Sequence, residues 1–312
     1  MIGIWKSPMQ TPTPTPPSSG TNSLIDISDL IMAGVGIVTT VVGALLYDYI
    51  KSRSRVTVKL ITKSTDKDVE GFVEIYNKLI EESVRIDASE IICWIDEDCA
   101  LRRVPSHTYY HYLLICKLGS RVVGFIKLMY ELKSKYLFIA YYGIDTSVEQ
   151  ARRLAAPALM KSMKELIDKE MMDCKAILFE LEAPDPSLSA KENLERRARI
   201  RLFKEVAKRQ NLAAYELKFD YFQPLMEVSR GDEKSVSEEC LVLMYIPVRD
   251  PVPIQKNLSK SKVLEALHFI YLEIYRPTFR HDPIQDGTYQ TYLNGLLGLY
   301  KTELPDTIDL VS

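Results

Sequence analysis

Three apolar runs stand almost end to end in the middle of this chain, and together they commit it to a sheet. Tyr109 to Lys117 and Arg121 to Tyr130 are separated by a short connection holding Gly119 and Ser120, and Tyr136 to Ile144 follows soon after. Two β-rich runs joined by a short glycine-containing link read as a hairpin. Cys174 to Glu182 is a fourth run of the same kind, stopped by Pro184-Asp185-Pro186. Val56 to Ile61 alternates apolar side chains, as a strand does.

Helical patterns fill the gaps. Asp68 to Glu82 places Val69, Phe72, Val73, Tyr76 and Ile80 on one face, and a second helix covers about Ala88 to Asp96. Further helices are predicted over about Ala155 to Glu170 and Lys191 to Arg209. Two last strands, Ala213 to Tyr221 and Cys240 to Ile246, are joined by a polar loop around Gly231-Asp232-Glu233. The order is strand, two helices, three strands, helix, strand, helix, two strands. An α/β (α+β) architecture, a mixed central sheet with helices on both faces, satisfies it.

The ends of the chain follow other rules. Residues 1–23 hold a Pro/Thr/Ser-rich tail, Thr11 to Gly20 at its heart, which cannot build a core. Within 24–50, Leu30 to Tyr47 runs 18 residues without a charge. At about 1.5 Å per residue that is close to the length needed to span a bilayer core of about 30 Å. Lys51, Arg53 and Arg55 follow it. Basic residues on that flank predict a single-pass membrane protein with a cytoplasmic C-terminal domain. A cleaved signal peptide would carry its charge before the apolar run, and a core helix would show a polar stripe. Gly34, Gly36 and Gly43 suit a membrane helix. The main domain is expected over 55–250. Residues 251–312 form an extension with two amphipathic helices, Val263 to Tyr275 and Thr288 to Tyr300, too small to fold alone. They should dock on the main domain or on a partner.

Composition narrows the function. The formal net charge of −2 argues against a protein that coats nucleic acid. The five cysteines are scattered, without a Cys-x-x-Cys pair, and neither they nor the four histidines show metal-binding spacing. They read as free buried thiols. There is no Walker-type loop, no Gly-x-Gly-x-x-Gly and no nucleophile elbow.

Three stretches carry a family resemblance. They are Leu137 to Ile144 with Arg152-Arg153-Leu154-Ala155-Ala156-Pro157-Ala158, Ile177 to Pro186, and Arg196 to Gln210 followed by Phe219 to Leu225. In element order and local texture, the chain from about Val56 to Ile246 resembles the GNAT acetyltransferases. The Gln223-Pro224 end and the two C-terminal helices resemble a bacterial subgroup of that superfamily.

The resemblance implies an acetyl-CoA site and an amine acceptor. In the family, a Gln/Arg-x-x-Gly-x-Gly/Ala loop before a helix holds the pyrophosphate on backbone amides, where the helix dipole also favours an anion. Arg153-x-x-Ala156-x-Ala158, preceded by Arg152, is the nearest match. Alanine replaces the middle glycine, and Pro157 removes a donor. Backbone amides over Tyr142, Gly143 and Ile144 would hold the thioester oxygen, with Tyr141 and Tyr142 lining the cleft. Many members place a tyrosine acid where this chain has Phe203, which has no proton to give but can pack beside the pantetheine arm. Glu182, and behind it Glu180, are the candidate bases, two apart on one strand and so expected on one face. A salt bridge to Arg199 or Arg201 is the competing role for such a glutamate.

Two functions follow. One is a membrane-tethered acetyltransferase that acts on an amine and contacts membrane lipid through residues 30–47. The alternative is a catalytically inactive GNAT-like module that senses a ligand or binds a partner at the membrane. The altered loop and the missing tyrosine favour the second, and other acyl transfers by this fold are a more distant third.

Overall fold

The computed structural model of this chain describes residues 56–82, 85–101, 109–225, 240–249, 256–276 and 283–312. The expected strands are present: β1 (Val56–Ile61), β2 (Tyr109–Leu118), β3 (Arg121–Glu131), β4 (Tyr136–Ile144) and β5 (Ala176–Glu182). The last strand pair resolves into β6 (Tyr215–Leu217), a two-residue β7 (Tyr221–Phe222) and β8 (Cys240–Pro247). The helices are α1 (Val69–Leu79), α2 (Ala88–Leu101), α3 (Glu149–Glu170) and α4 (Ala190–Arg209). The run 30–47 lies outside the described residues, among which no helix is long and apolar enough to cross a membrane.

One sheet carries everything, in the order β1-β2-β3-β4-β5-β8-β6-β10-β9, with β7 paired to β8. All these pairings are antiparallel except β4 with β5, which is parallel. The parallel step has a simple cause, since α3 lies between the two strands and carries the chain back to its starting end. The β2–β3 turn is the expected one, and Gly119 supplies its positive φ of 62°. Gly143 is needed for space. A Cβ there would come within 2.6 Å of the Phe125 ring, which lies against the β4 backbone.

Alternation sorts the strand side chains into two cores, one on each face. Ile126, Leu128, Leu137, Ile139, Ile177 and Phe179 pack under α3 and α4. Phe125, Phe138, Leu178 and Tyr245 pack under α1, α2 and the C-terminal segment. The alternation slips at two β-bulges, one at Val123 in β3 opposite Cys116 and Lys117 and one in β4. Lys127 of β3 stands opposite Tyr141 and Leu128 opposite Ile139, so Ala140 is an extra residue in β4. This β-bulge lets Ala140 and Tyr141 both face the second core.

The C-terminal segment is more than a pair of helices. It comprises β9 (Asn257–Ser259), α5 (Lys260–His268), a π-helical stretch (Phe269–Tyr275), α6 (Pro283–Glu303) and β10 (Thr307–Val311). β10 pairs with β6, so the segment both extends the sheet and covers its second face. Lys175 and Glu265 form an ion pair of 2.6 Å across that junction, and Phe269 packs on Tyr136. One expectation about the cysteines changes. Cys116 and Cys174 are buried, which pushes both thiols up to about 12, but Cys93 is exposed.

Candidate active site at a splayed strand pair

The ladder between β4 and β5 holds for only three residue pairs, Tyr136 with Ala176, Leu137 with Ile177 and Phe138 with Leu178. Both strands then run on, β4 to Ile144 and β5 to Glu182, without pairing to each other. The result is a wedge in the middle of a continuous sheet. Beyond Phe138 and Leu178 neither strand supplies ladder bonds to the other. Buried backbone groups need partners, so such a gap suits a ligand able to supply them.

Each side of the wedge has its own chemistry. On the side of α3 and α4, Phe203 of α4 sits between Tyr142 and Phe179, its ring centroid 4.9 Å from each. All three rings are buried, and burial pushes the Tyr142 phenol up. Phe203 thus packs between the two strands on the α4 side, bridging Tyr142 of β4 and Phe179 of β5.

On the other side stands Glu180, two residues past the last β4–β5 pair and 1% exposed. Tyr221 of β7 and Tyr275, the last residue of the π-helix, both donate their hydroxyls to it; Tyr275 lies 2.8 and 3.0 Å from its two oxygens. Gln223 Nε2 in turn donates to Tyr275 Oη at 2.9 Å. Both phenols donate to this one carboxyl, whose oxygens act as acceptors. Burial, then the Glu180 charge, pushes both phenols well above their usual range, so they hold their protons. Tyr289 of α6 is also buried beside this group, and its hydroxyl has no hydrogen-bond partner among the described residues.

Glu180 and Glu182, two apart on β5, meet different partners. At the end of β5, Glu182 pairs with Arg199 and lies 3.5 Å from Arg196, both on α4. Arg196 also donates to Ala183 O at 2.7 Å. Glu182 thus ties β5 to α4, the competing role its sequence allowed, while Glu180 is held by tyrosines from the opposite side.

The expected phosphate loop is also placed differently. α3 starts at Glu149 rather than Ala155, so Arg152, Arg153, Ala156 and Ala158 all lie within the helix. Ala156 faces the core at 3% exposure. Amides this deep in a helix are used by its own ladder. Pro157 breaks that ladder in the interior, leaving the Arg153 carbonyl without its usual partner. Sequence reasoning placed Pro157 at a helix start, where it is well tolerated; the helix begins two turns earlier. The uncapped amides are those of Glu149 to Ala151, because Val148 at the cap position offers no side-chain acceptor. They follow β4 directly. Arg152 is 53% exposed and pairs with Glu149 at 2.9 Å, and Arg153 is exposed.

Tyr221, Gln223 and Tyr275 were not singled out as site residues by sequence. The available signal was the density of tyrosine in the two C-terminal helical patterns. A hydroxyl on a face expected to be buried must find a partner.

No family model matches this chain, and no curated protein does. Solved structures do. The ribosomal-protein-S18-alanine N-acetyltransferase of Escherichia coli matches at 10% identity over 64% of this chain and 97% of that one, TM-score 0.38. A GNAT-family acetyltransferase of Streptococcus pneumoniae matches at 7% identity over 62% and 98%, TM-score 0.39. The spermidine N-acetyltransferase of Vibrio cholerae matches at 10% identity over 62% and 94%, TM-score 0.37. Identities this low transfer no residue's role.

Proposed function

We propose that this chain is a GNAT-superfamily acyltransferase that moves the acetyl group of acetyl-CoA onto an amine. The observation that carries the reading is the β4–β5 wedge, a ladder that stops after Phe138 and Leu178 while both strands continue. An acetyl-CoA arm laid there runs beside the part of β4 that β5 no longer pairs, and can bond to its backbone with its own amides. Its pyrophosphate reaches the uncapped first turn of α3, where unpaired amides and the helix dipole favour an anion. Arg152 and Arg153, one turn on, add positive charge. The role expected of Ala156 and Ala158 passes to the amides of Glu149 to Ala151.

In this reading the acceptor approaches from the Glu180 side. The amine nitrogen attacks the thioester carbonyl carbon, and the Ile144 amide, on the edge of β4 away from β3, stabilises the oxyanion. The C–S bond then breaks, the nitrogen's proton passes to Glu180, and coenzyme A leaves as a thiolate that solvent protonates. Phe203 cannot supply that proton. Glu180 is preferred to Glu182 as base because two arginines already hold Glu182. The uncharged run Leu30 to Tyr47, followed by Lys51, Arg53 and Arg55, supports a tether in membrane lipid with the domain on the cytoplasmic side.

One observation favours the inactive alternative: Phe203, Phe179 and Tyr142 together close one face of the wedge. Thiol release from acetyl-CoA decides between them, measured with spermidine, a lysine ester and a peptide with a free amino terminus. Acceptor-dependent release that is lost in Glu180→Gln supports the transferase. Folded wild-type protein that neither releases thiol nor binds acetyl-CoA supports the inactive module.

A further inference from the structure

β7 is two residues long, and the chain leaves it with few ladder bonds to hold it. Tyrosines of the C-terminal segment take their place. Phe222 N donates to Tyr300 Oη at 2.8 Å, and Tyr271 Oη donates to Phe222 O at 2.6 Å. Leu225 N donates to Tyr292 Oη at 3.0 Å. Three hydroxyls from the π-helix and α6 thus fix the backbone on both sides of Gln223.

That fixing has a downstream consequence. With Gln223 held, its side-chain amide donates to Tyr275 Oη, so the Tyr275 hydrogen is left to point at Glu180. Gln223 is 5% exposed and Tyr275 1%, so no bulk water competes for these bonds. The order of dependence runs from Tyr271, Tyr292 and Tyr300 to Gln223, then Tyr275, then the carboxylate. Tyr275 closes a π-helical stretch. That geometry is rare and recurs at functional sites, and here it presents Tyr271 and Tyr275 together to the sheet.

We propose that Tyr275 is a positioning residue for Glu180, and that the C-terminal segment is therefore a working part of the acceptor side of the wedge. The inference rests on the acyltransferase reading, since it gives Glu180 a task. Tyr275 touches neither acceptor nor cofactor in this account. It aims the carboxylate and keeps it an acceptor, ready to take the proton of the attacking nitrogen.

The test uses the full chain and the thiol-release assay with the best of the three amines. Tyr275→Phe should lower kcat on the order of 10- to 100-fold, the cost of one hydrogen bond to a charged group, with KM for acetyl-CoA unchanged. Tyr130→Phe is the control. It removes another buried phenol, one that donates to Asp173 at 2.7 Å under the opposite face, and should leave kcat unaltered. A general loss of fold would move KM and the melting temperature together instead of kcat alone. Should Tyr275→Phe fail to fold, Gln223→Met keeps the phenol but frees its hydrogen, and a smaller drop in kcat is expected. Turnover within twofold of wild type in whichever of the two variants folds, alongside loss in Glu180→Gln, overturns the positioning role and leaves the transferase reading intact. Wild-type protein that does not turn over at all ends the transferase reading, and the positioning role with it.

Discussion

Glu180 and Glu182 stand two residues apart on one strand and live in different chemistries. Glu182, at the strand's end, meets two arginines of α4 and serves as a strut. Glu180, deeper in the sheet, accepts from two phenol hydroxyls, brought from β7 and the C-terminal segment. A carboxylate between guanidinium groups is fixed and neutralised. A carboxyl among phenols is oriented by neutral donors. The same contrast runs through the wedge itself, closed by aromatic rings on one side and lined by polar groups on the other.

The largest expected effect would break the aromatic side. Phe203→Ala removes the ring that bridges β4 and β5, and should cost about 3–5 kcal/mol in urea unfolding, as for other buried phenylalanines. A cost below about 1 kcal/mol would show that the wedge does not depend on it. Next comes the polar side. Glu180→Gln should lower turnover by about 100-fold or more, the usual scale for a lost general base, read as thiol release.

Glu182→Gln sharpens the contrast between the two carboxylates. It should destabilise the fold by about 1–3 kcal/mol at pH 7, since Arg199 and Arg196 lose a charged partner. Turnover should stay within a few-fold of wild type. If Glu182→Gln abolished turnover while Glu180→Gln did not, the two roles would be reversed.

The smallest effect concerns pH. Burial, with the Lys127 ammonium nearby, pushes the His111 imidazole well below its usual range. It stays neutral in the folded chain, whereas the unfolded chain takes up a proton near pH 6.5. Below that pH the unfolded state binds more protons, so stability falls as pH falls. One such group contributes a slope of at most about 1.4 kcal/mol per pH unit. Urea midpoints between pH 7 and pH 5 should therefore drop less steeply in His111→Gln than in wild type; equal slopes would remove His111 from the account.

Much of this was legible in the residues. Apolar runs and turn chemistry located β1 to β5, with Gly119 marking the β2–β3 turn. Phe203 is singled out only through the family resemblance, and its two ring partners, Tyr142 and Phe179, come from strands that the helix pattern does not name. The start of α3 is hidden in the sequence by Pro157, which suits a first turn yet lies inside the helix. Packing of Ala151, Ala155 and Ala156 against the sheet holds the helix through the proline instead. The separation of the two glutamates could not be read from a two-residue spacing, because it depends on which distant segments reach each one. Tyr275 lies 95 residues from Glu180. Nor could the short strand β10 be anticipated, as its five residues gain meaning only beside β6.

Titration of the full chain with acetyl-CoA, followed by heat at constant pH, tests the central claim most directly. The account predicts one saturable site per chain, with affinity in the micromolar range and a raised melting temperature at saturation. Folded protein that gives neither heat nor a thermal shift would contradict it, and would leave the wedge a structural feature closed by Phe203.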